Sequence, residues 1–122
     1  MSEVSLPTRK FQKELNAGIT SLILLYIVEK SEEPLYGYQI AKKINFENKH
    51  GFSMKQSGLY PVLRSLEKNE LLESSVEPSV SGPPRRYYCI TDTGSKALIK
   101  WKEIWSDLRA NVDNILEGEK ND

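Results

Sequence analysis

The strongest constraint on the fold lies in residues 53 to 91, where a helical apolar pattern is followed by two strand patterns and a second helix start. Residues 56 to 69 (QSGLYPVLRSLEKN) predict a helix, because apolar side chains recur on one face of it. Pro61 would cost about 3 kcal/mol in a helix interior, so its position predicts a helix start near Gln56. The inward-facing side chains are those of Leu59, Val62, Leu63 and Leu66.

A hairpin is predicted directly after this helix. Residues 71 to 76 indicate one strand, residues 77 to 84 (EPSVSGPP) have turn chemistry, and residues 85 to 90 (RRYYCI) indicate the return strand. Thr91 is then a predicted helix N-cap, with Asp92 in the first turn, where a negative charge suits the helix dipole. A helix with a polar face followed by such a hairpin is typical of a winged helix, which places the helix in a major groove and the hairpin on phosphates.

The residues before this stretch predict the other half of a helix-turn-helix. Residues 1 to 8 are polar and predict a disordered lead. Residues 9 to 30 predict a helix with a broad apolar face, and residues 37 to 46 predict the first helix of the helix-turn-helix pair. A short first strand is predicted at residues 53 and 54. The expected fold class is therefore α+β, mainly α, with a winged helix-turn-helix DNA-binding domain over residues 9 to 91.

Residues 92 to 122 predict a long C-terminal dimerisation helix and a tail. Apolar side chains alternate there at spacings of three and four residues, which is the a/d seam of a coiled coil. Such a seam predicts packing against a second subunit, and the alternative is that the helix folds back on the N-terminal helix of its own chain. The pattern leaves open which tryptophan faces the partner. The seam residues are Leu98, Trp101, Trp105, Leu108, Val112 and Ile115.

Candidate DNA-binding residues lie at the start and along the polar face of the predicted recognition helix, and at the start of the return strand. Side chains and free N–H groups at a helix N-terminus reach base edges or phosphates. Adjacent strand residues point to opposite faces, so at most one of Arg85 and Arg86 is expected to contact DNA directly. The alternative for each candidate is a solvated side chain. The candidates are Lys55, Gln56, Ser57, Tyr60, Arg64, Lys68, Arg85 and Arg86.

The charge distribution fits these candidates better than the net charge does. The chain has 17 basic and 17 acidic residues, yet residues 37 to 69 hold six basic residues and two acidic ones. The positive charge therefore lies on the segments predicted to face DNA.

Composition argues against catalytic and membrane functions. With His50 and Cys89 as the single residues of their types and no phosphate-binding loop, we expect no enzyme, no metal site and no cofactor. Cys89 is predicted to be a small buried strand residue, and a redox sensor is the alternative. No apolar run approaches a membrane span and no signal-peptide pattern is present, so a cytoplasmic location is expected.

Three motifs of this sequence resemble the PadR-like transcriptional regulators. They are GYQI at residues 37 to 40, GLYPVLRSLE at residues 58 to 67 and GPPRRYYCIT at residues 82 to 91, and the similarity extends over most of residues 15 to 105. The resemblance implies a homodimeric winged-helix repressor that binds a pseudo-palindromic operator in double-stranded DNA. It implies that the C-terminal helix makes the dimer, as in the short PadR subfamily, and that Tyr60, Arg64 and the basic residues of the wing touch DNA. Pro83 departs from the family, which often has a basic residue there.

The resemblance also implies an effector site. In one multidrug-sensing branch of the family, a tryptophan of the C-terminal helix lines a flat aromatic pocket at the dimer interface, and Trp105 falls at the matching place, with Trp101 one turn before it. A planar aromatic small molecule is therefore an expected partner. The alternative is that both tryptophans are only interface core. A competing function for the whole chain is a winged-helix protein-interaction module that does not bind DNA.

Overall fold

The computed structural model describes residues 5 to 47 and 56 to 118. Within them the fold is mainly helical with a small antiparallel sheet, which confirms the predicted α+β, mainly α class and the winged-helix order of elements. In chain order the elements are α1 (Ser5–Lys30), β1 (Leu35–Tyr36), α2 (Gly37–Glu47), α3 (Gln56–Lys68), β2 (Leu72–Glu77), β3 (Arg85–Ile90) and α4 (Asp92–Leu116).

The first helix is longer than its sequence pattern predicts. α1 begins at Ser5, so residues 5 to 8 of the predicted disordered lead are helical. Pro7 is compatible with this start because it lies in the first turn, where backbone N–H groups have no partner within the helix. The apolar face of α1 divides into two parts: Phe11 is exposed, whereas Leu24 is fully buried.

The sheet contains a strand that the sequence pattern missed. Its order is β1-β3-β2, and β1 pairs Leu35 with Tyr88 of β3. A two-residue strand is too short to show a period of two, so only its pairing with a distant strand reveals it. The short strand predicted at residues 53 and 54 lies outside the described residues.

The hydrophobic core joins the helices to the sheet. Side chains of α1, α2, α3, the α3–β2 junction, β2 and α4 meet there, and Tyr88 of β3 closes it from the sheet. Burial of each large aliphatic side chain contributes roughly 1.5–3 kcal/mol, which holds α3 and the hairpin in one fixed relation. The fully buried residues are Leu24, Leu25, Ile40, Leu59, Leu63, Leu72 and Leu98.

The junction between the hairpin and α4 is built around Thr91. Its hydroxyl accepts a hydrogen bond from the Gly94 backbone N–H at 2.9 Å and donates to the Glu70 carbonyl at 2.7 Å. The predicted N-cap is therefore confirmed, and it also ties α4 to the turn after α3. Gly94 is needed there because a Cβ at this position would collide with the carbonyl oxygen of Leu71.

Candidate nucleic-acid interface

The recognition helix α3 is oriented by its apolar face. Leu59, Leu63 and Leu66 are buried in the core, so the opposite face of the helix points to solvent. Pro61 lies on the exposed side inside the helix, where it removes the hydrogen bond that the Ser57 carbonyl would otherwise accept. Of the predicted DNA-binding residues on this helix, Gln56 is half-buried and the others are exposed: Ser57, Tyr60, Arg64 and Lys68. Lys55 lies outside the described residues.

The first turn of α3 carries a side-chain hydrogen bond. Gln56 Nε2 donates to Tyr60 Oη at 2.6 Å. The Tyr60 ring packs on Gly37 at the start of α2, so the two helices of the pair meet at this tyrosine. The predicted site residues Gln56 and Tyr60 are therefore brought together.

Arg85 lies on the outer face of the sheet. Its guanidinium stands 4.5 Å from the centroid of the Tyr36 ring, a cation–π arrangement. Tyr36 in turn meets the Tyr87 ring edge-on at 5.3 Å and stacks with Tyr38 at 6.3 Å. The Tyr36 ring thus holds the guanidinium of Arg85, while the residue as a whole remains exposed.

Arg86 lies on the opposite face, toward α3. Its Nη1 donates to Ser74 Oγ at 2.9 Å, and Ser74 Oγ donates to Glu67 Oε2 at 2.7 Å. This chain of bonds links the wing to the recognition helix. Both wing arginines therefore have a partner inside the protein, and the statement that at most one of them contacts DNA directly stays a prediction.

Tyr88 lies beside this chain of bonds at the centre of the sheet. Burial raises the pKa of its phenol, the Glu67 carboxylate raises it further, and the positive charges of Arg86 and Arg64 partly oppose the shift. The phenol therefore stays neutral at physiological pH.

Cys89 faces away from that space. Its thiol approaches Glu73 Oε1 at 3.6 Å, and burial together with this carboxylate raises the thiol pKa. A thiol held protonated is a weak nucleophile, so the structure favours the packing role over a redox sensor. The side chain is half-buried rather than buried, which corrects the predicted environment.

A cleft of about 470 Å³ separates α3 from the wing, and we call it the helix-wing cleft. Among the described residues that line it, none is acidic and two are arginines. Such a cleft accepts an anionic, hydrogen-bonding ligand such as a nucleic-acid backbone. Its lining residues are Tyr36, Gly37, Gln56, Tyr60, Ser81, Pro83, Pro84, Arg85, Arg86 and Tyr88.

Several of these residues were missed by sequence reasoning. Tyr36 and Gly37 belong to a predicted loop and helix start, and Ser74 and Glu67 reach the site only through Arg86. None of them carries a periodic signal. One sequence feature did point to Gly37: it stands between Tyr36 and Tyr38, and a glycine in such a place is typical of a close approach of a side chain to the backbone.

The predicted a/d seam of α4 divides between the protomer's own core and its surface. Leu98 is 1% exposed and belongs to the core, so it has no surface for a second subunit, contrary to its predicted place in the interface. Trp101 is half-buried against the core. The remaining four are exposed, from 39% for Trp105 to 73% for Ile115, and we call them the α4 stripe: Trp105, Leu108, Val112 and Ile115.

An apolar groove of about 460 Å³ lies between α1 and α4. Both Trp101 and Trp105 line it, opposite Leu15 and Leu22 of α1. Folding back on α1 therefore accounts for the start of the seam, whereas the α4 stripe stays exposed on a single chain. The two tryptophans are brought together at one groove, and the effector site stays a prediction.

Other site types find little support in the part of the chain that the structure describes. Its His, Cys, Asp and Glu side chains form no cluster suited to a metal ion. His50 lies outside the described residues. No helix among residues 5 to 47 and 56 to 118 has the length and apolarity to cross a membrane.

A family model and a curated relative both match most of this chain. The model of the "Transcriptional regulator PadR-like family" matches residues 24–100. An uncharacterized protein of Lysinibacillus sphaericus is 33% identical over 104 residues, which cover 85% of this chain and 93% of that protein.

Solved structures give the same result. A PadR-like transcriptional regulator of Bacillus cereus is 36% identical, with a TM-score of 0.67 over 87% of this chain and 99% of that one. A PadR family transcriptional regulator of Eggerthella lenta is 30% identical, with a TM-score of 0.78 over 92% of this chain and 94% of that one. Bacillus subtilis PadR in complex with operator DNA is 24% identical, with a TM-score of 0.61 over 68% of this chain and 45% of that one, which shows likeness of fold.

Proposed function

The chain belongs to the PadR-like family of transcriptional regulators, and we propose that it is a homodimer that binds a pseudo-palindromic operator in double-stranded DNA and represses transcription. Membership in a family of regulators also confirms the expectation that it is not an enzyme. A cytoplasmic location is part of the proposal, because a regulator must share a compartment with its DNA.

The helix-wing cleft is the observation that carries the DNA-binding proposal. It joins the exposed N-terminal end of α3 to Arg85 and Arg86, with no acidic residue among the described lining. In this arrangement α3 enters a major groove and the wing contacts the flanking backbone. The operator DNA bound to Bacillus subtilis PadR supports the same use of the fold here.

The dimer proposal rests on the α4 stripe and the exposed part of α1. Trp105 and Leu108 are more than one-third exposed on one chain, and Phe11 of α1 is 62% exposed. Burying such a surface against a second copy removes apolar area from water. A two-fold dimer would also place two recognition helices on the two half-sites of a palindrome.

The groove between α1 and α4 is the proposed effector site. A planar aromatic molecule would stack on Trp105, with Trp101 beside it. If the ligand binds one arrangement of the two subunits better than another, it changes the spacing of the recognition helices and releases the operator. Quenching of tryptophan fluorescence by planar aromatic compounds would report this binding.

A gel-shift titration of the full chain against DNA upstream of its own gene tests the proposed function. We expect binding that survives random competitor DNA and weakens by orders of magnitude as salt is raised a few-fold, because phosphate neutralisation releases counterions. Absence of selective binding at low salt would overturn the proposal in favour of the protein-interaction module. A promoter–reporter fusion then separates repression from activation.

A further inference from the structure

The amide of Gln56 is held in place before any ligand binds. Its hydrogen bond to Tyr60 Oη is 2.6 Å long, and residues four apart are neighbours on one helical face. Gln56 is half-buried and both residues line the helix-wing cleft. A glutamine side chain is otherwise rich in rotamers, so this bond lowers the conformational entropy that ordering the amide against a ligand would cost.

Tyr60 is positioned in turn by Gly37. A Cβ at Gly37 would lie 2.8 Å from Tyr60 Cε1 and 3.0 Å from its hydroxyl oxygen, which is closer than side chains tolerate. Gly37 is not one of the glycines with positive φ, so the backbone does not require a glycine there. Its missing side chain makes room for the tyrosine ring.

The bond to Tyr60 leaves the amide with a defined set of free groups. One hydrogen of Nε2 is used, and no other described residue bonds to the second hydrogen or to the Oε1 lone pairs. A donor beside an acceptor matches the major-groove edge of adenine, where N7 accepts and the N6 amino group donates. Guanine presents two acceptors at the same edge and would leave Oε1 facing O6.

We infer that Gln56 reads an adenine in each half-site, and that Tyr60, seated on Gly37, is the positioning residue that holds the amide for it. This rests on the proposed DNA-binding function. Gln56 is the first described residue of α3, and the N-terminal residues of a recognition helix are those that contact base edges. The Tyr60 hydroxyl accepts from Gln56 and so keeps its own hydrogen for a second acceptor, such as a phosphate oxygen.

The test begins with the full-length dimer and a random-sequence duplex library, from which the preferred duplex is selected. Each adenine of that duplex is then replaced singly by 7-deazaadenine, which removes the N7 acceptor and keeps base pairing and the N6 amino group. We expect one adenine per half-site at which the replacement lowers wild-type affinity about tenfold. Gln56→Ala is expected to bind the adenine and 7-deazaadenine duplexes equally well.

Two further variants test the positioning role of Tyr60. Tyr60→Phe keeps the ring and removes the hydroxyl acceptor, and Gly37→Ala displaces the ring without touching Gln56. Each is expected to reduce the discrimination at the same adenine several-fold, with unchanged melting temperature. Ser65→Ala, an exposed change on the same helix, is the matched control and should keep full discrimination.

The outcomes separate this inference from the proposed function. Failure of the wild type to select any motif overturns both. A second outcome is that the wild type selects a motif and yet loses no more affinity than Gln56→Ala when adenine is replaced by 7-deazaadenine. That result overturns adenine reading by Gln56 and leaves the proposed DNA binding in place. Full discrimination in both Tyr60→Phe and Gly37→Ala, with loss in Gln56→Ala, removes the positioning role of Tyr60.

Discussion

The helix-wing cleft and the α4 stripe differ in where their side chains find partners. At the cleft, polar side chains bond to one another, Gln56 to Tyr60 within α3 and Arg86 to Glu67 of α3 through Ser74 of β2. On α4, the apolar side chains of the stripe remain exposed beyond the point where the helix leaves the core.

The difference indicates what each surface is suited to bind. Polar groups that are already ordered bind an anionic partner with little further loss of conformational entropy. An apolar stripe instead gains free energy only when another apolar surface excludes water from it. The cleft therefore suits nucleic acid, and the stripe suits a second protein chain.

Leu98→Ala is expected to have the largest effect and to mark where the core ends along α4. The side chain is 1% exposed, so its loss leaves a cavity and lowers the free energy of unfolding by about 2–5 kcal/mol. Leu108→Ala is the matched control, because this leucine is 53% exposed on the same helix. Urea denaturation at two protein concentrations distinguishes them, since a change that acts through association depends on concentration. If both variants lost the same free energy of unfolding, and if that loss depended on protein concentration, Leu98 would belong to the interface as Leu108 does.

Leu108→Asp is expected to separate the subunits of the proposed dimer while leaving each one folded. A carboxylate in an apolar interface is desolvated without a partner, which should raise the dimer dissociation constant by about 100-fold. Sedimentation velocity and circular dichroism measure the mass and the fold. Asp107→Asn is the control, because it alters an adjacent exposed residue off the stripe. A Leu108→Asp dimer of unchanged mass would show that the stripe is not the interface.

Arg64→Ala tests the DNA-binding side of the comparison, because Arg64 lies on the exposed face of the helix that carries Gln56 and Tyr60. Arg64 is exposed, so the melting temperature should not change, whereas operator affinity should fall by about tenfold and the salt dependence should weaken by about one ion. Fluorescence anisotropy over a salt series measures both. Lys100→Ala removes the same charge from an exposed position on α4 and should leave binding unaffected. Equal losses in the two variants would mean that only the total charge matters.

Ser74→Ala is expected to have the smallest effect and to test whether the wing is anchored to α3. It removes the hydroxyl that links Arg86 to Glu67, which should cost about 1 kcal/mol of unfolding free energy. Ser75→Ala is the matched control on the other face of β2, where the hydroxyl is exposed. Thermal denaturation compares the two variants. Identical melting temperatures would show that the hydrogen bonds through Ser74 do not stabilise the wing.

Local patterns predicted most elements because they depend on residues within one or two turns of each other. The described part of α3 runs from Gln56, where a helix was predicted, and the N-cap at Thr91 and the helix after it are confirmed. α1 begins earlier than predicted because a proline in a first turn does not interrupt a helix. β1 was missed because a two-residue strand exists only through its pairing with β3.

The sequence by itself determined the winged-helix class, the polar and apolar faces of α3 and the resemblance to PadR-like regulators, since all of these follow from residue type and short-range spacing. Only the tertiary structure decided that Leu98 is core while Trp105 is surface, and that Tyr36 and Ser74 hold the two wing arginines. The spacing of apolar residues along α4 does not distinguish packing against a helix of the same chain from packing against a helix of a second chain. Which side chains are covered depends on where α1 and the sheet end, and that is fixed by contacts between residues far apart in the chain.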